Sequence, residues 1–274
     1  MRQLEVLVGR AHGQFYSSAV PKKESMLLFF TEVFPHTFRK NLHVVAFSMA
    51  LFFITALVGY FFTLADWEFA EMILSPGLIE CIQNHEMWTV SLNSIKPLAS
   101  SQIATNNITV TIAAFALGVF FGAGTLYIIA FNGLLFGTIL AATYLYGLND
   151  ELLLFVLPHG VIELPCIFIA AAGGFIMGRA LLFPGRYSRK IEFQSAARTG
   201  AELVLGTAPL LLLAGLIEAY ISPSELPVAV RLTVCVLAAL FMWIYLMRPF
   251  RSKPGVVPEA PAPPAREPSG GAQA

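Results

Sequence analysis

Leu42–Leu64 reads LHVVAFSMALFFITALVGYFFTL, 23 residues without one Asp, Glu, Lys or Arg. As a helix rising ~1.5 Å per residue, the run is about 35 Å long. The hydrocarbon core of a bilayer is about 30 Å thick. A soluble core helix of that length needs a polar stripe, and this run has none. The stretch is a membrane span.

The rest of the chain agrees. Of its 274 residues 57% are hydrophobic and only 12% charged, with a mean hydropathy of +0.71. A soluble domain carries about 25% charged residues to hydrate its surface. The formal net charge is zero, which argues against nucleic acid as a partner. No cleavable signal peptide is expected, because Arg2, Glu5, Arg10, Lys22 and Lys23 precede the first apolar block. Cys81, Cys166 and Cys235 show no CxxC or metal-ligand spacing.

Working outward, Met26–Lys40 (MLLFFTEVFPHTFRK) is too polar to span and contains Pro35. It reads as an amphipathic helix on the inner leaflet, within a cytoplasmic segment 1–41. The outer loop 65–107 holds five acids, one Lys, and the interface-seeking Trp67 and Trp88. Short surface helices are expected there. Ile108–Tyr146 is too long for one crossing, and Asn132-Gly133 is the obvious turn dipeptide within it. That divides the block into Ile108–Phe131 and a short Leu134–Tyr146. Leu152–Leu182 is the fourth span, about 46 Å as a straight helix, with Pro158 and Pro165 as places to bend or break. After the inner basic loop 183–200, Ala201–Ile221 and Leu232–Met247 complete a six-span membrane domain, 42–248. Residues 249–274, rich in Pro and Ala, are expected to be disordered.

Six spans return both ends to one side. With the N-terminus inside, 15 Lys and Arg residues are cytoplasmic, and only Lys96 and Arg231 lie outside. The positive-inside rule operates on smaller asymmetries than that.

Small residues mark the contacts between helices. Gly118/Gly122, Gly133/Gly137 and Gly174/Gly178 are GxxxG pairs, each a flat face for close helix approach. Ionisable groups at membrane depth are costly and usually mark function. His159 and Glu163 in LPHGVIELP and Glu218 in LLLAGLIEAYISP are the three candidates, all in the outer half. His159 and Glu163 share a face if the helix survives its prolines. The cluster reads first as a hydrogen-bonded lock within the bundle, next as a proton or cation relay. A metal site or a protease lacks its motif, there being no HExxH and no GxSxG. Asn106 and Asn107 are expected to cap the second span, and Asn132 to make the turn with Gly133.

Taken together, NNITVTIAAFALGVFFGAGTLYIIAFNGLLFG, LPHGVIELPCIFIAAAGGFIMGRALLFPG and APLLLLAGLIEAYISP resemble the stage II sporulation protein M family of bacterial membrane proteins. The resemblance covers roughly Arg2–Met247, and PHG-x-x-E-L-P followed by a small-residue helix is its most specific string. Asn107, Asn132, His159, Gly160, Glu163 and Glu218 match the family's motif positions, to which the resemblance attaches no chemical role. It implies a membrane-complex component and not the enzyme of that complex. In endospore formers the namesake works with a peptidoglycan hydrolase and its activator during engulfment. The Pro/Ala tail departs from the namesake, and nothing here points to sporulation itself.

The expectation is therefore an all-α, polytopic helical membrane bundle of about six spans with a broken or kinked fourth. Its expected role is that of a non-enzymatic scaffold or assembly partner in the bacterial inner membrane, both termini cytoplasmic. The partners expected are lipid bilayer and envelope proteins or further copies of the chain, with no cofactor. The alternative is a transporter or channel using His159, Glu163 and Glu218.

Overall fold

In hydrocarbon every backbone N–H and C=O must be satisfied within the protein, so apolar runs of this length fold as helices. A computed structural model describes residues 23–87, 96–185, 187–222 and 226–248, and its apolar runs are helical throughout. The expected features at 1–22, Trp88 and the tail 249–274 lie outside the described residues.

The N-terminal segment is α1 (Lys23–Leu28), a π-helical turn at Phe29–Val33, and α2 (Phe34–Lys40). The first span, α3 (Leu42–Ala65), leads into the short α4 (Trp67–Ile73) and α5 (Pro76–Gln83). Then come α6 (Lys96–Ala116) with a 3-10 turn at Leu117–Val119, α7 (Ala123–Leu145) and α8 (Asn149–Leu182). The chain closes with α9 (Arg189–Tyr220) and α10 (Val228–Met247). Five of these, α3, α7, α8, α9 and α10, are long and apolar enough to cross a membrane. A shorter apolar stretch, Thr105–Val119, belongs to α6 and its turn.

Contacts fix the direction of each helix. Gly133 lies against Phe52 and Thr55, and Gly137 against Ala56, so α3 and α7 run parallel. Gly118 meets Gly174 and Gly122 meets Gly178, so α6 and α8 are parallel too. Gly173 meets Gly200, and α8 and α9 are antiparallel. Two parallel spans cannot be consecutive, so the chain crosses once between α3 and α7, through α6. The two described ends meet at one face, where Arg39 Nη1 donates to the carbonyls of Leu246 (3.1 Å) and Arg248 (2.9 Å). That face carries Lys40, Arg179, Arg189, Lys190 and Arg198, and the opposite one Asp66, Glu68, Glu71, Glu80, Glu86, Asp150 and Glu151.

The hairpin is not where the sequence places it. Asn132 and Gly133 lie inside α7, and the turn falls at Phe120–Gly122, with Phe121 at φ 56° and Gly122 at φ 82°. Gly122 takes a left-handed conformation at the N-cap of α7, one that costs an L-residue about 1–2 kcal/mol. Asn132 bonds back to the Ile128 carbonyl at 2.7 Å, and Gly133 is a contact point for α3. The short third span therefore does not exist; α7 has 23 residues.

Of the expected broken or kinked fourth span, the break is absent. α8 runs through Pro158 and Pro165 without interruption. A proline inside a helix costs about 3 kcal/mol, but leaving the helix at membrane depth frees several polar backbone groups at several kcal/mol each. Continuity is the lesser cost. Asn106 and Asn107 likewise lie well inside α6, which begins at Lys96, so they do not cap it.

The N-terminal segment is docked and does not merely rest on lipid. Phe34, Pro35, Thr37 and Phe38 are buried, and the Phe34 ring fills the space over Gly206 of α9. Tyr245 of α10 donates to the Phe30 carbonyl at 2.7 Å. At the opposite end the expected short helices do form. Ala70, Leu74, Ile82 and Met87 pack on Ala142, Leu148 and Leu152, as a small cap over the ends of α7 and α8.

Candidate functional site

Because α8 stays helical, His159 and Glu163 lie one turn apart on one face. α9 runs antiparallel against that face and brings Glu218 and, just past its end, Ser222. His159 Nδ1 shares a hydrogen bond with Ser222 Oγ at 2.9 Å. His159 Nε2 lies 3.9 Å from Glu163 Oε2, within ion-pair range but too long for a hydrogen bond. The Phe155 ring meets the imidazole edge-on, centroids 5.6 Å apart.

Stepping one turn inward on both helices replaces the His159–Ser222 pair by Glu163 and Glu218, which interact electrostatically. On the third side, Asn107 of α6 lies beside Glu163, and Thr111 Oγ1 donates to the Asn107 carbonyl at 2.7 Å. His159 is 4% exposed, Glu163 8%, Ser222 2% and Glu218 1%. The cluster is sealed among three helices, near the acidic end of the bundle.

Within it the carboxyls are treated unequally. Glu163 has Asn107 and His159 beside it, whereas neither Glu218 oxygen meets a hydrogen-bond donor among the described residues. A buried acceptor left without a donor costs about 1–3 kcal/mol, so Glu218 is the strained member. Among the described residues no three His, Cys, Asp or Glu side chains are grouped to hold a metal ion. Two carboxyls, an imidazole, a hydroxyl and an amide can hold or pass a proton, or lock three helices in register.

Of the expected residues, the fold brings together Asn107, His159, Glu163 and Glu218. Gly160 adds no group, and among the described residues a Cβ there would meet only the Val156 side chain at 3.2 Å. Asn132 is absent from the cluster, its amide bonded within α7. Ser222 and Thr111 were missed. For Ser222 a signal existed: Glu218-x-x-x-Ser222 repeats the four-residue spacing of His159-x-x-x-Glu163 on a helix of opposite direction.

The family model described as stage II sporulation protein M matches residues 48–223, a range that holds every member of the cluster and excludes α10. An uncharacterized protein of Methanocaldococcus jannaschii is 28% identical over 187 residues, 67% of this chain and 83% of its own length. A second uncharacterized protein of that organism is 30% identical over 125 residues, 44% of this chain and 69% of its own. No solved structure matches the chain significantly.

Proposed function

We propose that this chain, which belongs to the stage II sporulation protein M family, is a non-enzymatic scaffold or assembly partner in a complex of the cytoplasmic membrane. The observation that carries the reading is how the central helices touch. At Gly118/Gly174, Gly122/Gly178 and Gly173/Gly200 backbone lies against backbone, the last contact beside the Phe115 ring. Helices in such contact resist sliding or rocking, and the sealed polar cluster pins α6, α8 and α9 at one end. A bundle locked this way suits holding partners in place. The acidic cap of α4 and α5 is its presentation surface, and the basic face is cytoplasmic by the positive-inside rule.

Isolation from native membranes in mild detergent tests this. The expected result is a defined complex with an envelope protein, or a homo-oligomer, that survives size exclusion. A solitary chain at full abundance overturns it. For orientation, Glu68→Cys and Lys190→Cys should react with an impermeant thiol reagent from opposite sides, Lys190→Cys from the cytoplasm.

One observation favours a second reading, proton- or cation-coupled transport through His159, Glu163 and Glu218. It is the carboxyl of Glu218, both oxygens without a donor among the described residues. Transport predicts flux into liposomes driven by a pH or cation gradient and abolished by Glu218→Gln in folded protein. The scaffold predicts no such flux and an intact assembly in Glu218→Gln.

A further inference from the structure

A cavity of ≈ 910 Å³ opens at the basic end, between the docked α2, the start of α3, the Phe120–Gly122 turn, the end of α8 and the polar start of α9. It lies at the opposite end of the bundle from the His159 cluster, and no function discussed above uses it. One wall is apolar. Phe47 and Phe175 meet edge-to-face with centroids 5.2 Å apart, and Leu126 continues that wall. Phe47 and Leu126 are about half exposed on spans that face lipid, so the wall is continuous with the acyl region.

The other wall is charged. Arg198 pairs with Glu202 at 3.4 Å, and Thr37 also donates to Glu202 at 3.1 Å. Lys40 and Arg179 line the same cavity and make no ion pair or hydrogen bond among the described residues. They end α2 and α8, at the depth where apolar span gives way to water. Glu192 is the other carboxylate of the lining. Two unpaired cations against that carboxylate leave one net positive charge, with His36 and His43 at hand.

We propose that this cavity is a binding site for an anionic phospholipid. Its phosphate engages Lys40 and Arg179, and an acyl chain lies along Phe47, Phe175 and Leu126. A single phosphodiester matches the charge, and the apolar wall selects a lipid over a free phosphate ion. Basic pockets between membrane helices are known to take such headgroups. Because α2 forms part of the wall, a bound lipid ties the N-terminal segment to the bundle.

The test uses the full chain, purified and exchanged into mixed phosphatidylglycerol–phosphatidylcholine nanodiscs. Lipid retained after re-extraction is counted by native mass spectrometry. Phosphatidylglycerol is expected to be retained over phosphatidylcholine, and Lys40→Gln/Arg179→Gln to lower that preference at least about tenfold. Both residues are exposed, so the fold should survive. The charge-matched Arg189→Gln/Lys190→Gln, on the same face outside the cavity, should leave it unchanged. Equal retention of the two lipids, or equal loss in both variants, overturns the proposal. Displacement of phosphatidylglycerol by millimolar inorganic phosphate would make the ligand a free phosphate and overturn it too.

Discussion

His159 of α8 and Ser222 at the end of α9 are 63 positions apart and share a 2.9 Å hydrogen bond, both almost wholly buried. That bond lies one turn from Glu163 and Glu218, which face each other across the same antiparallel pair. Ser222→Ala removes the hydroxyl and leaves the imidazole beside the Phe155 backbone. A loss of about 1 kcal/mol is expected, read as a lower unfolding temperature in detergent. Ser222→Thr, which keeps the hydroxyl, should recover most of it.

The two carboxyls should respond differently to replacement. Glu163→Ala removes the carboxyl that faces Asn107 and His159, and should destabilise by about 2 kcal/mol. Glu218→Leu removes two acceptors that have no donor among the described residues, and should be neutral or stabilising within about 1 kcal/mol. Side-by-side thermal melts decide this. Equal losses would mean that Glu218 is bonded as firmly as Glu163.

Glycines that look alike in sequence should behave in opposite ways. A Cβ at Gly174 would fall on backbone of α6 and on Thr125, so Gly174→Val should cost about 3 kcal/mol or abolish accumulation. Gly77 in α5 has no described residue within 4 Å of a new Cβ, so Gly77→Ala should stabilise by about 0.5–1 kcal/mol. Membrane abundance and thermal stability of the two variants check both statements.

Removing the Phe34 ring should undock the N-terminal helix. A fully buried phenylalanine truncated to alanine typically costs about 3–5 kcal/mol. Limited proteolysis of Phe34→Ala should cut within residues 26–40 while α3 to α9 stay intact. Global unfolding at the same temperature would show that the segment is integral to the bundle.

Asn132 and Gly122 discriminate the two hairpin readings. Asn132→Ala breaks one bond within α7 and should cost under about 1 kcal/mol. Gly122→Ala forces a side chain into the left-handed region and should cost about 1–2 kcal/mol. The reverse order would restore the turn to Asn132-Gly133.

That the chain is an all-helical membrane bundle follows from its residues, because uninterrupted apolar runs of about 20 residues satisfy their backbone groups in lipid as helices. The sequence also picked out His159, Glu163 and Glu218, since an ionisable group at membrane depth is expensive wherever it occurs. It misplaced what depends on which helix lies alongside. Asn132-Gly133 has the composition of a turn, but α3 packs on Gly133. Pro158 and Pro165 have the composition of a break, but the surrounding hydrocarbon makes a break cost more than the prolines do. Only the packed bundle shows that Ser222 and Thr111 join the cluster and that Phe34 seals over Gly206. Those contacts come from the register of α8 against its neighbours, which is set by glycines letting backbones touch. Local propensity carries no information about that.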